Sequence, residues 1–352
     1  MANLIGFPFM ISVLVWGILA GLGSWLIGFP VYRLLSRLGL LDKPNDRSSH
    51  SVPTVRGGGL GIVVIVLVLG GADGLHPPSV LPVAWLLLLF GLAGVSFVDD
   101  LRSLSWKVRF GTHGLVSAVF LYALARQGGF EGLSIAMASG LGIVLFLFLA
   151  GYANAFNFMD GINGIAASQA AVTGLGTIAV AIAAGVSFTH PALVLAAIIA
   201  GAAAGFLPHN FPRARMFMGD VGAVVLGFGL AAIAVWIAAE RGWWLLVPLG
   251  CLHANFILDT AITVVRRILR GEVFHQAHRE HFYQRLVRAG WSHTRVTLTE
   301  VALQVVVAAM LTLGVTHGPW AMLCMVPVVG GIWLGFFGFC ERTFVRHEER
   351  RS

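Results

Sequence analysis

Charged side chains are what this sequence has least of: Asp, Glu, Lys and Arg make up 11% of its 352 residues, against 57% apolar. Soluble domains carry about 25% charged residues. With a mean hydropathy of +0.85, the chain reads as an integral membrane protein and not as a soluble domain with a large core. Cysteine is nearly absent as well. Cys251, Cys324 and Cys340 sit in apolar runs without metal-ligand spacing, which excludes a disulfide framework and a thiolate metal site and leaves them a packing role. There is no internal repeat or low-complexity tract, and every connection on one side of the apolar runs is short, which leaves no room for a domain there. The first apolar segment lacks a basic n-region and a small-residue cleavage site, so it reads as a retained span.

Apolar runs long enough to cross a bilayer lie near 8–28, 57–72, 79–98, 110–126, 136–153, 163–185, 189–207, 221–239, 243–264, 297–316 and 319–339. They predict an all-α fold, a single polytopic domain over 1–352, with about eleven transmembrane helices and ten as the alternative. The second and fourth runs are short and borrow from their flanks. Lys and Arg alternate with the crossings: apart from Arg126 and Arg241, all lie around 33–56, 102–109, 213–215 and 266–295 or in the tail 342–351. By the positive-inside rule these segments face the cytoplasm, with the N-terminus outside and the C-terminus inside. The net charge of +7 then reports topology and contact with anionic membrane lipids, and nucleic acid is not needed to explain it.

Against this background the run Asn154-Ala155-Phe156-Asn157-Phe158-Met159-Asp160-Gly161-Ile162-Asn163-Gly164 stands out between two apolar segments. Buried amides and carboxylates are costly unless satisfied, so such a stretch at the mouth of a membrane helix reads as a binding site. The stretch Arg215 to Gly222 sets Asp220 beside glycines at a helix start. Together the two suggest a metal and phosphate site. In the first connection, Leu41 to Gly59, two prolines and Gly57-Gly58-Gly59 rule out a continuous helix and allow backbone N–H groups to converge as an anion nest. The adjacent acids Asp99 and Asp100 end the third run, where mutual repulsion calls for a cation, either a metal or Lys107 and Arg109 nearby.

The longest connection, about 266–296, holds His275, His278 and His281 at a spacing of three, which on a helix stacks them along one face. No thiolate or acid pair completes a zinc site there, and phosphate binding by Arg279 with flanking imidazoles fits better. Asp259, inside the ninth run, is a functional candidate as an intramembrane acid, with pairing to Arg266 or Arg267 as the alternative. His113, His190 and His317 have no motif around them and read as packed or interfacial. The loops 33–59, 99–109, 153–164, 208–222 and 266–296 all fall on one face, implying one shared site open to a water-soluble substrate and bordered by lipid. A carrier also uses intramembrane acids and broken helices, but it places them near the midplane and serves both faces; the nearly featureless outer loops favour an enzyme.

The segments Pro53 to Gly59, Asp99-Asp100 with Lys107, Asn154 to Gly164, Asn210 to Gly222 and the His-rich loop resemble, in order, those of the polyprenyl-phosphate N-acetylhexosamine-1-phosphate transferases. This is the WecA/MraY superfamily of glycosyltransferase family 4. His278 to Leu286 looks most like its WbpL-type branch, which primes O-antigen synthesis. The resemblance implies transfer of a sugar-1-phosphate from a UDP-N-acetylamino sugar (GlcNAc, FucNAc or QuiNAc type) to undecaprenyl phosphate, releasing UMP. It also implies a bacterial inner membrane, a periplasmic N-terminus, a cytoplasmic site, and a homodimer as a candidate assembly.

Carried over by position, Asp220 and Asn157 match the site of a magnesium ion, with manganese as the alternative. Asp99, Asp100, Asp160 and Lys107 match catalytic positions. Lys43, Arg56, Asn154, Asn163, Asn210, Phe217, His278, Arg279 and His281 match substrate-binding positions. Asn163 stands where many members have Asp, and Ala223 replaces the usual Ser or Thr after Gly222, which puts nucleobase contacts in question more than catalysis. The acceptor, a phosphate monoester with a second pKa of about 6, is nucleophilic without a strong base. Direct attack with Asp99 orienting or deprotonating it is the favoured route, and a covalent route through one of the acids stays open.

Overall fold

The computed structural model describes residues 2–44, 52–74, 80–273 and 278–351, the side chains of 2–9 and 73–74 excepted. In chain order come α1 (Ala2–Arg37), the strands β1 (Leu41–Asp42) and β2 (Thr54–Val55), α2 (Gly59–Gly74), α3 (Val80–Arg102), α4 (Trp106–Arg126), α5 (Ile135–Phe158) and α6 (Ile165–Ala183). Then follow α7 (Pro191–Asn210), α8 (Asp220–Arg241), a 3-10 turn (Trp243–Leu245), α9 (Leu246–Cys251), α10 (Ala254–Leu269), α11 (Phe282–Arg288), α12 (His293–Val315) and α13 (Pro319–Glu349). Among the described residues nine helices are long and apolar enough to cross a membrane, namely α1, α3 to α8, α12 and α13.

A tenth span results if Trp243–Cys251 and Ala254–Leu269, bent by 74°, count together. The run at 243–264, expected as one span, is a pair of helices meeting at that bend. The apolar part of α2, Gly59–Ala72, is shorter than a full span. A break in a membrane helix frees backbone groups that lipid cannot satisfy. Here Gln304 of α12 donates to the Leu252 carbonyl at 2.7 Å. Gln169 of α6 and Asn255 of α10 exchange amide hydrogen bonds at 3.0 Å in each direction.

The helix starts follow local chemistry. Ser105, Ser134 and Ser292 cap α4, α5 and α12 by accepting from Val108 N, Met137 N and Arg295 N. Helix α8 has no such cap; it is buried throughout its apolar length and packed by α2, α3, α5 and α7. It begins after Gly219, at φ 74°, with no side-chain cap of its own.

The outer helix α1 lies against α7 along a glycine seam. A Cβ on Gly201 would stand 2.0 Å from the Gly17 carbonyl oxygen, and one on Gly205 2.0 Å from that of Gly21. In lipid, where apolar burial does not drive helices together, such small-residue spacing lets backbones approach closely. Gly201→Ala therefore forces the helices apart and is expected to cost about 1–3 kcal/mol. Gly140→Ala in α5, with nothing within 4 Å of the added carbon, serves as the control. Thermal unfolding in detergent compares them, and equal midpoints would dismiss the seam.

Candidate active site

The start of α8 organises the site. Asp100, near the end of α3, supplies the missing cap: its Oδ1 accepts from Asp220 N and its Oδ2 from Val221 N, both at 3.0 Å. Arg56, just after β2, donates from Nε to Asp100 Oδ1 at 2.8 Å and from Nη2 to Asp220 Oδ1 at 2.7 Å. Burial alone would lower its pKa, but the Asp220 and Asp100 carboxylates outweigh burial and hold the guanidinium above its ordinary value. Asn157, near the end of α5, donates from Nδ2 to Asp220 Oδ2 at 3.2 Å. Arg109 Nη1 lies 3.4 Å from Asp99 Oδ2 and 3.8 Å from Asp220 Oδ2. Asp99 Oδ1 accepts from Leu104 N, in a tight turn through Ser103 at φ 50°. Asp160, in the loop after α5, feels the same charges: burial and then Asp220 push its carboxyl well above the usual range, against the pull of Arg56.

The loops beneath are zipped by backbone. β1 pairs with β2 in antiparallel fashion, and Val55 bridges to Met216. Phe217 N donates to Val55 O at 2.7 Å, and Gly58 N and Gly59 N donate to Phe217 O and Met218 O at 2.8 Å each. The triple glycine is therefore not an anion nest, because two of its N–H groups are spent inside the protein. What glycine permits is close approach: a Cβ on Gly59 would stand 2.4 Å from Gly222 Cα.

The last loop reaches the same region. His281 Nδ1 bonds Asp259 Oδ1 at 2.8 Å, and Phe282 N donates to Asp259 Oδ2 at 3.0 Å. Asp259 therefore pairs with His281 and not with Arg266 or Arg267. Arg266 instead meets Glu341 of α13 at 2.9 Å, and Arg267 meets Glu280 at 2.9 Å and Glu272 at 2.8 Å. Arg270 also binds Glu280, and Arg285 binds Glu341 at 2.8 Å. The Tyr283 hydroxyl donates to Phe158 O at 3.1 Å, which leaves space for only a glycine at 161, where a Cβ would lie 2.0 Å from that hydroxyl. His278 and His281 precede α11 and do not share a helix face with each other; His275 lies outside the described residues. Burial, with repulsion from His281 and Arg267, lowers the His278 pKa to about 4.

A cavity of about 620 Å³ runs from this cluster between α3, α4, α5 and α10. Asp99, Arg109, Asn157 and Asp220 line one part, and residues such as Val95, Leu147, Phe148, Val224, Ile257 and Val264 line most of the rest. Trp106, Phe110, Leu147 and Phe158 line it yet remain exposed on the outer surface. The cavity thus opens sideways, past apolar side chains, toward the surface that lipid would cover.

Of the residues singled out from sequence, the structure brings Asp99, Asp100, Asn157, Asp220 and Arg56 together, with Asp160 beside them. Asn154 lines the cavity and donates to Ala150 O at 2.8 Å. Lys107 is exposed, its ammonium 6.0 Å from the Trp106 ring centre, and it is not brought to the acids; Arg109, two residues on, is. Lys43 is exposed just past β1. Asn210 is buried with its amide spent on backbone, accepting from Gly164 N at 2.6 Å and donating to Met216 O at 2.9 Å. Asn163 donates to Pro212 O at 3.0 Å. Phe217 and Arg279 are half-buried in their loops. His113, read from sequence as packed or interfacial, is buried and also lines the cavity, its Nδ1 without a partner among the described residues; Glu300, not singled out from sequence, is a buried acid within α12. A lone ionisable residue inside an apolar run was the signal for both.

Among the described residues no three His, Cys, Asp or Glu side chains converge to enclose a metal. Magnesium does not require that, since it keeps waters and binds through one or two carboxylates together with substrate phosphates. Asp99 and Asp220 offer hard oxygens beside Asn157, whose amide presents Oδ1 to the same point when turned over. Arg56 and Arg109 do not fully offset Asp99, Asp100 and Asp220. The donor set fits a magnesium ion shared with a phosphate ligand, and not one caged by protein alone.

The family model "Glycosyl transferase family 4" matches residues 82–238, the span containing this cluster except Arg56. The chain is 30% identical to a decaprenyl-phosphate N-acetylglucosaminephosphotransferase of Mycobacterium tuberculosis, over 80% of this chain and 77% of that protein. It is 28% identical to a probable undecaprenyl-phosphate N-acetylglucosaminyl 1-phosphate transferase of Bacillus subtilis, over 81% and 80%. It is 31% identical to a phospho-N-acetylmuramoyl-pentapeptide-transferase of a Picosynechococcus species, over 82% of each. Acids and arginines at the head of an apolar cavity, and similarity along most of the length of such enzymes, agree: the chain belongs to glycosyl transferase family 4, in the WecA/MraY superfamily, and is a phosphotransferase.

Proposed function

We propose that the protein transfers a sugar-1-phosphate from a UDP-N-acetylamino sugar to undecaprenyl phosphate at the cytoplasmic face of a bacterial inner membrane, releasing UMP. The observation that carries this reading is the apolar cavity that opens sideways and ends on Asp99, Arg109, Asn157 and Asp220. An isoprenoid chain lies along the apolar walls, and its phosphate meets the polar end. The basic segments around the site match a cytoplasmic placement by the positive-inside rule.

In this reaction an acceptor phosphate oxygen attacks the sugar-bearing phosphorus of the donor. A new P–O bond forms there, the bond to the bridging oxygen breaks, and UMP leaves with that oxygen. The barrier lies in bringing one anion against another, so positioning and charge stabilisation matter more than a strong base. Arg109, between Asp99 and Asp220, is placed to meet the acceptor phosphate. Asp99 orients the acceptor or takes its remaining proton. Asp220 and Asn157 would hold a magnesium ion, which would supply positive charge to offset that on the pyrophosphate and the departing UMP. Arg279, His278 and His281 bind the donor phosphates, and N-acetylglucosamine, N-acetylfucosamine and N-acetylquinovosamine donors form the candidate set. The step opens the synthesis of O-antigen or a related surface polysaccharide, the role that the sequence of the last loop suggests.

UMP release by detergent-solubilised protein with undecaprenyl phosphate, magnesium and those three UDP-sugars tests the reaction. One donor is expected to support release that depends on lipid and is abolished by EDTA. Asp220→Asn is expected to lower the rate at least about 100-fold. No release from folded protein with any donor overturns the proposal. The cavity has its own test, because Gly151 lines it with nothing within 4 Å of a Cβ. Gly151→Phe fills that space and is expected to raise KM for undecaprenyl phosphate at least about 10-fold, with KM for the sugar donor unchanged. A rise in donor KM alone would move the lipid elsewhere.

A further inference from the structure

Asp259 is a carboxylate within α10, wholly buried, in a helix whose other buried residues are Asn255, Phe256, Thr263 and Arg267. Three donors converge on it. His281 Nδ1 is at 2.8 Å, Phe282 N at 3.0 Å and the Thr263 hydroxyl, one turn along the helix, at 3.2 Å. Such an acid is costly to keep away from water unless its bonds achieve something. Two of the three donors belong to the junction where the last loop becomes α11.

The consequence falls on His281. With Nδ1 committed to the carboxylate, the ring is fixed in both orientation and tautomer. Nε2, which bonds to no described residue, is the nitrogen left for a ligand. The ring also stacks against Phe158 at 6.3 Å and Tyr283 at 5.9 Å. Phe158 lines the cavity and holds Tyr283 through its carbonyl. The imidazole is thus clamped from beneath by an acid and from the sides by aromatic rings, at the border between the last loop and the loop carrying Asp160.

We propose that Asp259 is a positioning residue, which locks His281 so that Nε2 is presented to a phosphate oxygen of the nucleotide-sugar donor. The inference rests on the reading of the last loop as the donor-phosphate site. Glu341 braces the same loop from α13 through Arg266 and Arg285, but it touches neither His281 nor Asp259. It serves as a comparison for a purely mechanical support.

The test is a double-mutant cycle on UMP release, with UDP-N-acetylglucosamine or whichever of the three donors is used, plus a measurement that needs no activity. Asp259→Asn, nearly the same shape, is expected to lower kcat/KM about 10- to 100-fold with an unchanged melting temperature. In a His281→Gln background it is expected to add nothing further. Glu341→Gln is expected to act to the same degree in both backgrounds. Full additivity of Asp259→Asn with His281→Gln overturns the proposal. In protein carrying 15N-labelled histidine, the ring signals lost in His281→Gln identify His281. They are expected to show Nδ1 protonated in the wild type and a changed tautomer balance in Asp259→Asn. If Asp259→Asn does not fold, the wild-type spectrum still decides, since an unprotonated Nδ1 at His281 overturns the proposal. If instead His281→Gln keeps full activity while the spectrum shows the expected tautomer, the donor-site reading of the loop fails and the proposal falls with it, though the Asp259–His281 bond stands.

Discussion

A helix that starts inside a protein must find acceptors for its free N–H groups, and α8, the most buried helix here, has no side-chain cap of its own. Asp100 meets that need from another helix, binding Asp220 N and Val221 N. Buried N–H groups left unpaired cost about 1–3 kcal/mol each, so α3 and α8 are fixed to each other at this point. The cap is an acid, and an acid in a low dielectric needs a cation, which Arg56 supplies from the first loop. Arg56 in turn reaches Asp220, so three distant segments are bound into one cluster by a need that begins with backbone geometry. The backbone zipper from Val55 to Met218 then has to form, because Arg56 reaches both acids only if the two loops lie side by side.

This gives the acids separate work although they are adjacent in sequence. Asp100 is saturated by backbone and Arg56 and faces the helix start. Asp99 faces the cavity with Arg109 as its nearest cation. One turn of α3 thus carries a residue that builds the site beside one available to a substrate. Asp220 does both, as the first residue of α8 and as part of the cavity wall. A site whose structural carboxylates are already paired, and whose open ones are only partly offset, is held ready for added positive charge without flying apart in its absence.

Much of this was legible in the sequence where the controlling physics is local. Apolar runs become helices, Ser105, Ser134 and Ser292 cap them as their type predicts, and the acid and amide stations fall together because each is too costly to bury alone. What was not legible is partner choice across long separations. Lys107 and Arg109 are equivalent by charge and reach, and only the helical phase of α4 turns Arg109 to the acids. Asp259 has two arginines within two turns of its own helix, yet it binds an imidazole more than twenty residues away. The triple glycine fits an anion nest equally well until its N–H groups are seen donating to Phe217 and Met218. Asn210 is an amide in a polar station, and nothing in its type says that both ends are consumed by backbone. The bend between α9 and α10 has its compensation in Gln304, about fifty residues later.

The arrangement also explains how two substrates of opposite character can meet on the proposed reading. A lipid acceptor cannot cross water, and a nucleotide sugar cannot cross hydrocarbon, so the site needs two entrances of different polarity. The side opening past Trp106, Phe110, Leu147 and Phe158 is apolar at its rim, while the last loop is ringed by Arg267, Arg270, Arg285 and their acids. The cavity and the last loop both come to Phe158, where α5 stops and the loop carrying Asp160 begins. Gly161 keeps that corner open to Tyr283, whose hydroxyl packs against it and holds the Phe158 carbonyl. The residue at 161 is therefore constrained where the end of α5 meets the start of α11, and its smallness follows from contact with a tyrosine more than a hundred residues away.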